Sequence, residues 1–320
     1  NLSNQLPLSQ TLTLTITNIA DYCGNVMPTA QVNVTYYPTE PGDVLINEIF
    51  FDPSPSVGLP DYDYLELYNR RSYSVNISGW KLTIGTRDIP LPSYLMPANS
   101  YLILTSSGGV SEYSQYGPTL GLLSTSDLPT TGREIKLMTS TSMIVHYVSY
   151  DISFYQDPTK EDGGWSIELI DPESWCQNRS NWRASVASIG GTPGSANSVL
   201  ASNPDDTPPS VISVWASNAR KIGILFSEQI PLDVAMNPER YQLFDGLQIQ
   251  TLEYDPIQQN LVTITITGSM ELERIYRIAI NGITDYCGNL METQEFEFLL
   301  YLPTFGFVVF NEIMCNPKTG

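Results

Sequence analysis

The chain has 320 residues, room for about two domains at ~100–200 residues each, and its 42% hydrophobic content excludes a disordered acidic tail. With 15 Lys and Arg against 34 Asp and Glu the net charge is −19, which argues against nucleic acid as a partner, because phosphate neutralisation needs clustered basic side chains. No run approaches the roughly 20 apolar residues of a membrane span, so no direct membrane span is expected; no basic-then-apolar leader opens the chain, and a start inside a domain leaves export open.

Strand signals follow one another along the whole chain. In order they are TLTLTITNI (11–19), YLELYN (64–69), GWKLTIG (79–85), SYLILTS (100–106), REIKLMT (133–139), MIVHYVSY (143–150), KIGILFS (221–227), LVTITITG (261–268), IYRIAINGI (275–283) and FEFLLYL (296–302). Each is short, rich in β-branched and aromatic residues and bounded by Gly, Pro, Asn, Asp or Ser. In LVTITITG, Val262, Ile264 and Ile266 fall on one face and threonines on the other, the period of two of a half-buried strand. No helical stripe exceeds two or three turns, and there is no βαβ rhythm. The expected class is all-β, as tandem immunoglobulin-like sandwiches.

Two stretches recur at one spacing. ADYCGN around Asp21 returns as TDYCGN around Asp285, 264 residues on (285 − 21), and VLINEIFFDP from Val44 returns as VVFNEIMCNP from Val308, again 264 (308 − 44). A constant offset leaves no insertion between the anchors and marks a tandem array whose unit is a pair of domains. Proline-interrupted joins at 36–43, 201–210 and 300–307 set the boundaries. They divide the chain into the C-terminal part of one sandwich (1–40), a complete domain (41–203), a second (204–303) and the start of another (304–320). Stiff joins of this kind predict a rod, and the chain reads as a piece of a longer protein.

The 41–203 segment resembles the lamin tail domain, through LINEIFFDPS (45–54), DYLELYNR (63–70), VNISGWKL (75–82) and LMPANSYLIL (95–104). GGWSIELID (163–171), NWRAS (181–185) and GGTPGSANSV (190–199) resemble the later half of such domains in surface proteins of Bacteroidota-type bacteria. The 204–303 segment resembles a bacterial Ig-like domain through PPSVISV (208–214), IGILFSEQI (222–230), NPERYQL (237–243) and ITDYCGNLM (283–291). Residues 1–40 match its last strands. These resemblances imply a non-catalytic stalk, scaffold or adhesin of a secreted or cell-surface protein, often exported by the type IX route. The implied location is extracellular, and the implied partners are other domains of the same long chain, outer-membrane or cell-surface proteins, or glycans. The alternative is a set of accessory domains of an exported nuclease or peptidase.

Candidate site residues are few. Cys23, Cys176, Cys287 and Cys315 form no C-x-x-C pair; with His146 the sole histidine, they read as structural disulfides, with three pairings open. A link from Cys176 to Cys23 or Cys287 would pin neighbouring domains. Asp21, Gly24 and Asn25, and again Asp285, Gly288 and Asn289, read as a turn in which Gly supplies positive φ and the Asx side chains bond backbone amides. Asp52, Asp61 and Asp63 share a proline-rich loop and are weak calcium candidates without EF-hand spacing; no other cofactor is expected. Asn47 and Glu48, with Glu66 and Asn69, read as buried hydrogen bonding between adjacent strands rather than an acid–base pair. His146 is expected to be a half-exposed strand residue. Tyr113, Tyr116, Tyr150 and Tyr155 stand in loops or at strand ends, where they either cap a core or offer stacking surfaces, and Trp80, Trp165 and Trp182 are assigned to packing.

Overall fold

The structure, a computed structural model, describes residues 7, 10–176, 179–255 and 258–301. Cys315, the recurring Asn311 and Glu312, and the expected 304–320 unit lie outside the described residues. Strands run in chain order as β1 (Thr11–Ile16), β2 (Ala30–Thr35), β3 (Val44–Phe50), β4 (Tyr64–Asn69), β5 (Val75–Asn76), β6 (Lys81–Ile84) and β7 (Arg87–Pro90). They continue as β8 (Leu95–Met96), β9 (Ser100–Ser106), β10 (Thr119–Leu123), β11 (Arg133–Met138), β12 (Ile144–Tyr150), β13 (Ile167–Leu169) and β14 (Trp182–Ala184). The rest are β15 (Val211–Asn218), β16 (Lys221–Phe226), β17 (Tyr241–Leu243), β18 (Gln248–Tyr254), β19 (Leu261–Thr267), β20 (Ile275–Ile280) and β21 (Gln294–Leu299).

The fold is all-β, in separate sandwiches. In the first, a six-stranded sheet ordered β10-β9-β4-β3-β13-β14 shares one core with a four-stranded sheet ordered β12-β11-β6-β7. In the second, β15-β16-β19-β18 faces β17-β20-β21 across a core of its own. There Ile222, Ile224, Phe226, Val262, Ile264 and Ile266 are all fully buried, as the alternation in their strands requires. The remaining hairpin, β1 with β2, is antiparallel from Thr11↔Thr35 to Ile16↔Ala30.

Every residue of β3 is buried, because both faces of the six-stranded sheet are covered. Leu65, Leu67, Leu102, Leu104, Ile167 and Leu169 point to the main core. On the other face Phe50, Tyr64 and Ile103 meet Tyr113 and Leu59 in a smaller cluster. A register shift between Ile46 and Glu48 makes Asn47 a bulge residue in β3, which re-aims its side chain. Tyr113, Tyr150 and Tyr155 are core residues, 0%, 2% and 1% exposed, so they offer no stacking surface. The phenols of Tyr113 and Tyr155 donate to the Tyr62 and Trp165 carbonyls at 2.8 and 3.0 Å.

His146 corrects the half-exposed expectation: it is 3% exposed. Its Nδ1 accepts the Ile46 amide at 2.9 Å from the opposite sheet, just where β13 stops pairing with β3. Accepting at Nδ1 places the proton on Nε2, 3.4 Å from the Trp175 carbonyl. Burial holds its pKa down at about 4, so the ring is neutral. His146 lies on the same face of β12 as the buried Val148 and Tyr150, whereas Tyr147 and Ser149 on the other face are half-buried and exposed.

Candidate functional site

Three glutamates stand side by side on the outer face of the six-stranded sheet. Glu48 on β3 pairs in register with Glu66 on β4 and with Glu168 on β13, and all three are 0% exposed. Strand alternation puts Glu66 and Glu168 there, each between two inward apolar residues, and the bulge at Asn47 brings Glu48 into line with them. Their oxygens are taken up by the segment 190–199. Glu48 Oε1 accepts from Ser166 Oγ at 2.6 Å and the Thr192 amide at 2.8 Å. Glu66 accepts the Gly194 amide at 2.5 Å and Asn47 Nδ2 at 2.9 Å. Glu168 accepts from Thr192 Oγ1, Ser198 Oγ and the Val199 amide, at 3.0, 2.8 and 3.1 Å. Asn197 completes the strap by donating to the Asn47 and Leu169 carbonyls at 3.0 and 2.7 Å. Gly191 passes so close that a Cβ there would sit 2.7 Å from both Glu48 Oε1 and the Tyr64 hydroxyl.

Burial first, and the charge of Glu168 second, raise the Glu48 pKa to about 7; burial and the charge of Glu48 raise Glu66 well above the usual carboxylate range. A substrate has no access to carboxyls this enclosed, and apart from Ser166 Oγ and Asn47 Nδ2 their donors are backbone and hydroxyl groups of one strap. The row is therefore a clasp that fastens the strap across three strands on the outer face of that sheet. Asn69 does not join it: its amide donates to the Tyr73, Met96 and Pro97 carbonyls at 3.0, 3.2 and 2.7 Å, holding a loop at the far end of β4. Sequence reasoning found Glu48 and Glu66 and missed Glu168. The signal for it was the single carboxylate between Ile167 and Leu169.

The second feature is the junction between the sandwiches. Cys176 and Cys287 are disulfide-bonded with Cα atoms 6.1 Å apart, joining the first sandwich to the β20–β21 turn of the second. Beside the bond, Trp175 meets Tyr286 with ring centroids 5.2 Å apart. Cys23, the repeat counterpart of Cys287, is exposed and unbonded among the described residues. Trp80 and Trp182 are core residues, while partly buried Trp165 carries Lys160 Nζ 4.4 Å from its ring centroid.

Both copies of the turn have one geometry. Asp21 Oδ1 accepts the amides of Cys23 and Asn25, both at 2.9 Å, and its Oδ2 accepts Asn25 Nδ2 at 2.8 Å. Asp285 accepts the Asn289 amide and Nδ2, each at 2.9 Å. Gly24 and Gly288 take φ of 86° and 90°, where other residues are strained. The two copies differ in burial: Asp21 is exposed, and Asp285 is 3% exposed.

A cleft of about 760 Å³ opens at this junction, lined by residues that include His146, Trp175, Asp205, Glu228, Gln259 and Tyr286. Asp205, Glu228 and Asp285 each place an oxygen so that all three lie within 4.8 Å of one another. Burial, then the charges of Asp285 and Asp205, raise the Glu228 pKa to about 7. Asp52, Asp61 and Asp63 do not converge in this way. Asp63 is half-buried and its pKa rises to about 7, from burial first and then the charges of Asp52, Asp61 and Asp127, while Asp61 is exposed.

Comparison with known proteins supplies one family. Residues 38–151 match the family model described as Lamin Tail Domain. No curated protein matches the chain. Among solved structures, the N-terminal part of the bacterial S-layer protein SbsC matches at 21% identity and TM-score 0.29, over 31% of this chain and 24% of that one. The longer S-layer protein rSbsC(31-844) matches at the same identity and TM-score, over 31% of this chain and 14% of that one. The chain thus spans a quarter or less of either. Among the described residues no helix is long and apolar enough to cross a membrane.

Proposed function

Residues 38–151 form a lamin tail domain, and on that premise we propose that the chain is a non-catalytic segment of a tandem array in which lamin tail and Ig-like sandwiches alternate, a stalk or scaffold at the cell surface. The observation that carries this reading is a repeat in three dimensions. The hairpin β1–β2 and the hairpin β20–β21 have the same strand limits and the same register at an offset of 264 residues (275 − 11), Thr11↔Thr35 answering to Ile275↔Leu299. In the later copy the apolar face is core, with Ile278, Met291 and Phe298 at 0%, 3% and 5% exposure. In the earlier copy Leu14, Met27 and Val34 occupy those positions at 53%, 37% and 37%. An apolar face of that extent favours burial at ~25 cal/mol per Å². The cover it fits is the sheet that residues 211–267 supply to the later copy. Enclosed carboxylates and a clasp role for the glutamate row support a mechanical task over a chemical one. Its partners are then neighbouring units of the same chain and other surface components, and the location is extracellular.

The test is a chimera in which residues 204–271 are placed ahead of residue 8, preserving the repeat spacing. Amide hydrogens of β1 and β2 should become as slow to exchange as those of β20 and β21, and hydrophobic-dye binding should fall. A hairpin that exchanges as fast as in the parent chain overturns the array.

A further inference from the structure

We propose that the β1–β2 turn is the docking corner for a second lamin tail sandwich like residues 41–203, whose Trp-Cys dipeptide, equivalent to Trp175 and Cys176, packs on Tyr22 and forms a disulfide with Cys23. The inference rests on the array reading and names the partner that an array brings to this corner. An exposed cysteine by itself indicates no ligand, but this chain holds the same corner twice, and the second copy shows what it receives. There Cys287 is bonded to Cys176, and Tyr286 meets Trp175 with ring centroids 5.2 Å apart. Tyr286 also packs against the core of the first sandwich. In the first copy Tyr22 is fully exposed, and Cys23 is an exposed thiol.

The first corner already has the shape of the second. The Met27 amide donates to the Ile19 carbonyl and the Met291 amide to the Ile283 carbonyl, both at 2.8 Å. The bridges Ala20↔Val26 and Thr284↔Leu290 stand at the same offset of 264 residues (284 − 20). Asp21 Oδ1 fixes the Cys23 amide at 2.9 Å, so the thiol is presented without rearrangement. A Tyr-Cys dipeptide then faces a Trp-Cys dipeptide, and burying the two rings against each other holds the sulfurs together. By the spacing of Cys176 from Cys287, the partner cysteine lies 111 residues ahead of Cys23 in the array. The bond forms by exchange with a small-molecule disulfide such as oxidised glutathione. The Cys23 thiolate attacks it and releases one reduced glutathione; the partner thiolate then attacks the Cys23 sulfur and releases the other, so the two electrons pass to the glutathione. Each joint from a lamin tail sandwich to the Ig-like one is thereby latched covalently. The opposite joint has Tyr37 stacked on Tyr73 with centroids 3.9 Å apart.

The experiment extends the chain by placing residues 41–271 ahead of residue 8, with Cys315→Ser, and refolds it in reduced and oxidised glutathione. Peptide mapping without reduction should find the added Cys176 bonded to Cys23, the original Cys176 bonded to Cys287, and no free Cys23 thiol. A control with only residues 204–271 ahead of residue 8 lacks the partner cysteine, and its Cys23 should stay titratable. Tyr22→Ala in the extended chain should slow closure of the new bond several-fold, and Tyr22→Phe should restore the rate. Amide exchange of β1 and β2 is read in the same sample. A protected hairpin with Cys23 still a thiol overturns this inference and leaves the array standing, whereas an unprotected hairpin overturns both. Cys23 joined to Cys23 of a second chain also overturns the inference. If the extended chain does not fold, the parent is mixed with a Cys23→Ser, Tyr286→Ala, Cys287→Ser chain, whose Cys176 is released from its bond. A heterodimer linked through Cys23 and Cys176 then supports the docking, and its absence overturns it.

Discussion

Glu48 and His146 show how a buried ionisable residue is set by what surrounds it. Glu48 has a folded pKa raised to about 7, above its unfolded value, so the folded state holds a proton that the unfolded state releases between about pH 4.5 and 7. The stability linked to it is present at the acid end of that window and is lost as pH rises through it. His146, lowered to about 4, acts in the opposite sense, adding stability as pH rises from 4 toward 6.5. Glu48→Gln should therefore flatten the fall in melting temperature between pH 5 and 8; a slope equal to the parent's removes Glu48 as its source. His146→Ala leaves the Ile46 amide without its acceptor, which should cost about 1–3 kcal/mol in urea unfolding, with a further cavity term. Glu48 was legible as a polar residue in an apolar strand. The burial of His146 was not, because the layer covering β12 comes from distant sequence.

At the scale of elements, the strap 190–199 and the Cys176–Cys287 link decide how the sheets are held. The strap has almost no regular structure and is fixed by side-chain and backbone bonds to three glutamates. Gly191→Ala would force a Cβ against Glu48 and Tyr64 and should loosen the strap, read as faster exchange of the Thr192 and Gly194 amides. The disulfide closes a loop of 111 residues. Its loss in Cys287→Ser should lower the stability of the joined state by ~2–4 kcal/mol and speed exchange around Trp175 and Tyr286. An unchanged melt would show that the joint does not depend on the bond. The turn residues Asp285, Gly288 and Asn289 were readable from local chemistry, since their bonds span only four residues. The pairing of Cys176 with Cys287 was left open among three, because spacing carries no information on which sulfurs meet in space.

For the whole molecule, the raised carboxyls of Glu48, Glu66, Asp63 and Glu228 outnumber the single lowered histidine. Net stability should fall from pH 5 toward pH 8. Thermal melts at several pH values check this, and a flat profile overturns it. The strong acidic balance, 34 residues against 15, makes the net long-range self-repulsion unfavourable, so added salt should stabilise the folded chain. Two separate cores give each sandwich its own stability, with the junction as a nearest-neighbour interaction.

The strand alternation, the turn chemistry and the 264-residue offset are local or periodic properties, and the sequence by itself determined them: an all-β class, sandwich units and a repeated corner. Tertiary structure alone decided which cysteines meet, that three glutamates form one row, and that a linker aspartate faces two carboxylates of the next sandwich. Each of those depends on residues tens to more than a hundred positions apart brought together by sheet stacking, a distance over which no periodicity in the chain carries a signal.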